Sequence, residues 1–163
     1  MNIKDQLTIK SVSVQQGMLN KKYTLATAES ITGGLLSATI SANAGASSWF
    51  QGGAVTYTSN AKHELLNISK ELITRHGAVS QIISTYMAQA IKIKLAATHA
   101  LSITGIAGPT GATEHTPIGK VFITLVTNNG VIEKNMLLQG NRIEIQQQAA
   151  YSCLELLHDN INI

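Results

Sequence analysis

The stretch 26–38 constrains this chain most, because a strand, a polar turn and a helix follow one another there without a break. Tyr23-Thr24-Leu25-Ala26 predicts a buried strand, and the Ala-rich run from Leu35 predicts a helix. Five polar or turn-forming residues stand between them: Glu29, Ser30, Thr32, Gly33 and Gly34. Backbone N–H groups at such a helix N-terminus favour an anion, either a bound phosphate or a developing oxyanion. The alternative is a helix cap, with Ser30 or Thr32 as the N-cap residue.

Length and composition indicate a globular protein. A chain of 163 residues fits one domain, 1–163, with 44% hydrophobic and 13% charged residues. The low charge favours burial of some surface between subunits, so we expect a homo-oligomer. The net charge of +3 is scattered without a basic stripe, and we therefore expect no nucleic-acid partner.

One cysteine, Cys153, excludes an internal disulfide and a multi-cysteine zinc site, and its apolar helical neighbours predict a core thiol. No apolar run is long enough to cross a bilayer, and the N-terminus lacks an apolar signal region. We expect a cytoplasmic protein with no membrane partner.

The remaining pattern alternates helices and strands. An apolar stripe from Ile3 to Met18 predicts a first helix, and Ala54-Val55-Thr56-Tyr57-Thr58 predicts a second strand. Asn60, Ser69 and Ser80 are interpreted as the N-caps of three further helices. Later strands are predicted at 101–104, 119–126 and 131–138, before a last helix whose start has Asn141 and Glu144 at capping-box spacing. About five strands with helices throughout predict a three-layer α/β/α sandwich with a mixed sheet.

A serine nucleophile needs a base, and no histidine is an obvious candidate. His63, His99 and His158 lie in helical patterns, His76 resembles a helix end and His115 a loop residue; no G-x-S-x-G elbow is present. A desolvated lysine can serve instead, because burial lowers its pKa and frees the amine. Lys62 is the candidate, and the alternative is a solvated lysine in the first turn of a helix.

Two further features suit an anionic ligand. The loop 105–114 offers backbone N–H groups from three glycines, together with nearby threonine hydroxyls including Thr104. Arg142 stands at the start of a capped helix, where it could pair with a phosphate. The alternatives are a flexible surface loop and an exposed arginine.

Six ordered blocks resemble the C-terminal domain of the competence/damage-inducible protein CinA, from about Thr24 to the final helix. They are Ala28-Glu29-Ser30-x-Thr32-Gly33-Gly34, Gly45-x-Ser47-Ser48, Gly53-x-Val55-x-Tyr57-x-x-x-x-Lys62, His76-Gly77-Ala78-Val79-Ser80, Thr104-Gly105-Ile106-Ala107-Gly108-Pro109 and Pro117-x-Gly119-x-Val121. Stand-alone members of that family are nicotinamide-nucleotide amidases.

The resemblance implies hydrolysis of nicotinamide mononucleotide (NMN) to nicotinic acid mononucleotide and ammonia, without a metal or another cofactor. It implies Ser30 as nucleophile, Lys62 as general base and Tyr57 as a third catalytic residue close to the pair, which either holds the lysine or donates to the substrate. N–H groups at the Thr32-Gly33-Gly34 turn are expected to hold the oxyanion. The positions expected to contact substrate are Glu29, Thr32, Gly33, Gly34, Ser48, Thr104, Gly105, Gly108 and Arg142.

Four positions depart from the family pattern. Ile31 replaces a cysteine that commonly follows the serine, which excludes thiol catalysis there. Thr116 and Gln146 stand where basic residues are usual, and Lys120 where threonine is common. These departures leave two alternatives open: an amidase for another anionic nucleotide, and a noncatalytic nucleotide-binding module.

Overall fold

The computed structural model describes residues 1–161. Its helices are α1 (Ile3–Lys21), α2 (Leu35–Ser41), α3 (Ser59–Leu66), α4 (Lys70–His76), α5 (Gln81–Lys94) and α6 (Arg142–Ile161). Its strands are β1 (Leu25–Glu29), β2 (Phe50–Val55), β3 (His99–Gly105), β4 (Lys120–Val126) and β5 (Val131–Leu137). A short 3₁₀ turn covers Ala46–Ser48.

The strands form one mixed sheet in the order β2-β1-β3-β4-β5. β1 pairs in parallel with β2 and β3, whereas β4 pairs antiparallel with β3 and β5. The prediction of a mixed five-stranded α/β fold is confirmed. Because β1, β2 and β3 run in the same direction, the segments that follow them leave the sheet at one shared edge, which is where such folds bind ligands.

Alternation along the strands sends side chains into two cores. Leu25 and Ile103 face one core, which is built with the N-terminal helix α1 and with α2 and α6. Ala26 and Ala100 face the other, formed with α3, α4 and α5. The sheet therefore lies between two helical layers, as predicted. Cys153 is fully buried in the first core, which confirms the predicted core thiol.

Several local predictions were wrong in detail. The second strand spans Phe50–Val55, four residues before its predicted start, because its register against β1 runs from Leu25–Phe50 to Glu29–Val55. Helix α3 is capped by Thr58, whose hydroxyl accepts the Ala61 N–H, and not by Asn60.

Two further predictions, one for the end of the first strand and one for His99, also differ from the structure. The first strand continues through Glu29, beyond the predicted Ala26, because every one of its residues pairs with β3. His99 begins β3 and does not lie in a helix, since it pairs with Leu25. The predicted caps Ser69 and Ser80 are confirmed, as is the capping box of Asn141 and Glu144.

Candidate active site

Ser30 is the first residue after β1, at the edge of the sheet where the parallel strands end. Its N–H donates to the Ile103 carbonyl at 2.9 Å, which extends the β1–β3 ladder by one bond. Its side chain is turned inward, with the residue only 7% exposed. The backbone of the sheet thus fixes where the Ser30 hydroxyl stands.

Lys62 reaches that hydroxyl from helix α3. Its Nζ donates to Ser30 Oγ at 3.0 Å and to the Thr56 carbonyl at 2.8 Å. It lies in the first turns of α3, and helical side chains point back toward the helix N-terminus, which here means toward the Ser30 turn. The solvated-lysine alternative is contradicted, because Lys62 is 1% exposed.

Burial lowers the pKa of Lys62 from its ordinary value of 10.5 to about 8. Among residues 1–161, no carboxylate forms a salt bridge with it, so no opposite charge offsets the desolvation of the ammonium. About a tenth of the lysine is then neutral at pH 7. An amine with this pKa, in hydrogen-bond contact with a hydroxyl, can act as a general base.

Glu29 is the N-terminal cap of α2, and it does not reach the cavity beside Ser30. Its fully buried carboxylate accepts hydrogen bonds from the N–H groups of Gly34, Leu36 and Ser37 and from the Thr32 hydroxyl. Its assignment as a substrate contact was therefore wrong, and the Thr32 hydroxyl is likewise committed, to the Glu29 carboxylate. The capping alternative was right about the need for a cap but wrong about which residue supplies it.

The same turn leaves fewer oxyanion donors than expected. The N–H groups of Gly33 and Gly34 are committed to Ser30 O and Glu29 Oε2, at 3.2 and 3.1 Å. Both glycines have positive φ, 60° and 104°, which lets the chain make this tight turn. Within residues 1–161, the N–H groups of Ile31 and Thr32 have no acceptor in the protein. These two are the unpaired donors of the turn, and Ile31 lines the cavity beside Ser30.

Arg142 and Tyr57 form a bridge across the mouth of the site. Arg142 Nη2 donates to the Tyr57 hydroxyl at 2.6 Å, and Nη1 donates to the Gly108 carbonyl at 2.7 Å. The expectation that Tyr57 lies beside Ser30 and Lys62 holds, because all three residues line the same cavity. The backbone carbonyl of Thr56, and not Tyr57, holds the lysine amine.

A cavity of about 370 Å³ joins these groups. It is lined by Ser30, Ile31, the 57–59 and 78–79 segments, Lys62, Arg142 and most of the loop 105–111. Gly105 and Gly108 are thus brought to the site, as predicted. The described lining contains two cations, Lys62 and Arg142, and no carboxylate, an arrangement that favours an anionic ligand.

Two other predicted contacts lie elsewhere. Ser48 precedes β2 whereas Ser30 follows β1, and because those strands are parallel the two serines stand at opposite ends of the sheet. Thr104 is buried, and its hydroxyl donates to the Ala78 carbonyl at 3.0 Å. It therefore supports a segment of the cavity wall without lining the cavity itself.

The positions that depart from the family pattern have their own partners. Gln146 Nε2 donates to the Ile31 carbonyl at 2.9 Å. The Thr116 hydroxyl contacts that of Thr113, and Lys120 Nζ donates to Asn135 at 2.7 Å. Neither Thr116 nor Gln146 brings a positive charge to the cavity.

Residues 1–161 contain no cluster of three or more side chains suited to holding a metal ion. The helices within that range are also too short or too polar to cross a membrane.

Comparison with known proteins finds relatives that all belong to one family. The family model of the CinA C-terminal domain matches residues 8–161. A CinA-like protein of Prochlorococcus marinus (strain MIT 9301) is 40% identical over 156 residues, which cover 94% of this chain and 37% of that protein. A CinA-like protein of Amoebophilus asiaticus is 36% identical over 154 residues, again 94% of this chain and 37% of the relative. The chain thus spans little more than a third of the length of these curated relatives.

Two solved structures show the same fold across almost the whole chain. The competence/damage inducible protein CihA from Agrobacterium tumefaciens has a TM-score of 0.92 and 31% identity, with 97% of this chain and 96% of that chain covered. The competence damage-inducible protein A (ComA) from Klebsiella pneumoniae has a TM-score of 0.92 and 28% identity, with 96% and 97% covered. Sequence and fold together show that this chain belongs to the CinA C-terminal domain family.

Proposed function

We propose that this chain is an amidohydrolase that converts the carboxamide of NMN into a carboxylate and releases ammonia. The observation that carries the proposal is the 3.0 Å contact between the buried amine of Lys62 and the hydroxyl of Ser30. A lysine with a pKa near 8 is suited to take the serine proton near neutral pH. The resemblance to nicotinamide-nucleotide amidases supports NMN as the substrate.

The reaction follows from the positions of the groups. Ser30 Oγ attacks the amide carbon while neutral Lys62 takes the hydroxyl proton. The N–H groups of Ile31 and Thr32 are the candidates to stabilise the oxyanion, at about 3 kcal/mol for a well-placed donor. Lys62 then returns the proton to the departing ammonia. Water attacks the resulting ester, with Lys62 again as base, and Ser30 is released.

The charge of the cavity supports a nucleotide substrate. Arg142 uses two of its N–H groups on Tyr57 and Gly108, and a guanidinium has five, so three remain for a phosphate. No carboxylate among the described lining residues opposes that charge. The ring carrying the amide is then expected beside Ser30 and the phosphate beside Arg142.

A second candidate is an amidase for a different anionic nucleotide. The observation that favours it is the use of Gln146 on the Ile31 carbonyl, together with the uncharged Thr116, since basic residues are usual at both positions in the family. With these cations missing, Arg142 carries more of the anion recognition. A larger or less highly charged nucleotide would suit such a site.

Ammonia release from a panel of carboxamide-bearing pyridine compounds tests the proposal. The panel contains NMN, its dephosphorylated riboside and the dinucleotide, with Ser30→Ala as the control for each compound. We expect the highest kcat/KM for NMN and no release by the variant. Faster release from the dinucleotide would favour the second candidate, and binding of NMN without ammonia release would favour a noncatalytic module.

A further inference from the structure

We propose that Gln146 is a positioning residue for the nucleophile turn, and that it orients the backbone N–H groups that follow Ser30. This inference rests on the proposed function, because it concerns attack by Ser30 on a carbonyl. It concerns a side chain of α6 that does not line the cavity and takes no proton. Its contact is with the Ile31 carbonyl, through Nε2 at 2.9 Å.

Because the peptide unit is planar, the contact at the Ile31 carbonyl also fixes the direction of the Thr32 N–H. The Ile31–Thr32 bond is trans, so its carbonyl and its N–H point in opposite directions. When Gln146 holds the carbonyl toward α6, the Thr32 N–H is directed away from α6. This N–H has no acceptor among residues 1–161, so the hydrogen bond fixes the direction of an unpaired donor next to Ile31, which lines the cavity.

The preceding peptide unit is fixed in a similar way. The Ser30 carbonyl accepts the Gly33 N–H at 3.2 Å, which directs the Ile31 N–H to the opposite side. Two successive carbonyls of the turn are therefore tied down while their partner N–H groups are open. Of these two anchors, the one at Ser30 lies within the turn itself, whereas Gln146 comes from 115 residues farther along the chain.

The helix that carries Gln146 is a firm support. α6 begins with the capping box of Asn141 and Glu144, and the neighbouring Ile145 is 1% exposed in the core. Gln146 lies four residues after Arg142, so the two side chains share one face of the helix. That face contacts the nucleophile turn through Gln146 and the Gly108 loop through Arg142. One rigid element thereby sets the distance between the two walls of the site.

Gln146→Glu is the informative variant, because it keeps the size of the side chain but replaces the amide donor by an acceptor that the Ile31 carbonyl repels. Gln146→Lys restores a donor. Gln148→Glu is a matched control, since Gln148 Nε2 makes the same kind of bond, to the Gln139 carbonyl at 2.8 Å, on the same helix. All variants are first compared by melting temperature.

Two rates are measured for each variant. The first is kcat for ammonia release from NMN. The second is the rate at which a fluorophosphonate labels Ser30: Ser30 Oγ forms a bond to phosphorus, fluoride leaves, and Lys62 takes the hydroxyl proton. The label needs the nucleophile and the turn donors but no nucleotide recognition. It therefore separates the state of the turn from the identity of the substrate.

We expect Gln146→Glu to lower both rates by about 10²-fold with little change in KM, because a displacement of about 1 Å has that effect on a reacting group. Gln146→Lys should recover most of both rates, and Gln148→Glu should match the wild type.

Equal rates for the two Glu variants would overturn the proposal, as would a loss of turnover with unchanged labelling. If the wild type is labelled but releases no ammonia, the labelling series alone decides the role of Gln146, and the proposed function fails. If the wild type is not labelled at Ser30, both fail.

Discussion

The amine nitrogen of Lys62 lies 3.0 Å from the hydroxyl oxygen of Ser30, although the two residues are 32 positions apart in the chain. Ser30 is held by the end of β1, and Lys62 reaches it from the first turns of α3. A second bond, from Lys62 to the Thr56 carbonyl, leaves the amine little freedom to move away.

The rate of turnover should rise with pH through the pKa of Lys62, near 8, because only the neutral amine accepts the Ser30 proton. Lys62→Arg should be inactive at every pH from 6 to 10, since a guanidinium stays protonated. A pH profile of kcat/KM for both proteins checks this. An active arginine variant would show that another group is the base.

Lys62 should also lower the free energy of unfolding at neutral pH. Burial lowers the pKa of Lys62 in the folded protein, so between pH 8 and 10.5 the unfolded chain binds more protons and stability rises with pH. Below pH 8 the full cost is present, about 3 kcal/mol. Lys62→Met should therefore be more stable than the wild type at pH 7, with a difference that shrinks toward pH 10.5.

Urea unfolding at several pH values measures that difference. The lost bonds to Ser30 and Thr56 reduce the gain but do not depend on pH in this way. Lys92→Met is a suitable control, because Lys92 lies on α5 outside the cavity. A stability difference between Lys62→Met and the wild type that stays constant from pH 7 to 10.5 would contradict a lowered pKa for Lys62.

Arg142→Ala should raise KM for NMN by the equivalent of about 1.5–3 kcal/mol, the usual contribution of a hydrogen bond to a charged group. The effect on the dephosphorylated riboside should be much smaller. Arg75→Ala is the matched control, since Arg75 forms an exposed pair with Glu71 on α4. The ratio of kcat/KM for nucleotide and riboside is the readout, and an unchanged ratio would mean that Arg142 does not contact the phosphate.

His99 should make the fold sensitive to acid. Burial, and to a smaller extent the Lys92 charge, lower the pKa of His99 from 6.5 to about 4. As the pH falls from 6.5 to 4, the unfolded chain gains a proton that the folded protein does not, and stability falls by up to about 3 kcal/mol. His99→Phe keeps a ring against Tyr23, whose centroid is 4.4 Å away, and should reduce this pH dependence. If the free energy of unfolding of the wild type and of His99→Phe falls equally between pH 6.5 and 4, a lowered pKa for His99 is contradicted.

Local patterns in the sequence predicted the layers of the fold and the main components of the site. The alternation of strands and helices and the caps at Ser69 and Ser80 are local signals, and they were right. Proximity of Ser30 and Lys62 was a hypothesis from the position of Lys62 after the second strand, which the family resemblance then favoured, and the structure brings the two side chains together. Their catalytic roles stay predictions.

The wrong assignments share a physical cause, because they depend on register and direction. Ser48 was expected at the site because it belongs to a block shared with the family, but only the parallel pairing of β1 and β2 shows that it stands at the far end of the sheet. Glu29 is a carboxylate beside a serine, and only the position of α2 shows that it caps a helix. The Thr56 carbonyl has no sequence signal, since every residue carries one.

The proposed role of Ser30 is tested by the conversion of NMN to nicotinic acid mononucleotide, measured side by side for the wild type and Ser30→Ala. We expect conversion by the wild type with one ammonia released per product, and none above the uncatalysed rate by the variant, although both proteins bind NMN. Equal conversion by the two folded proteins would contradict Ser30 as nucleophile. A folded wild type that binds NMN and leaves its carboxamide intact would contradict the amidase itself.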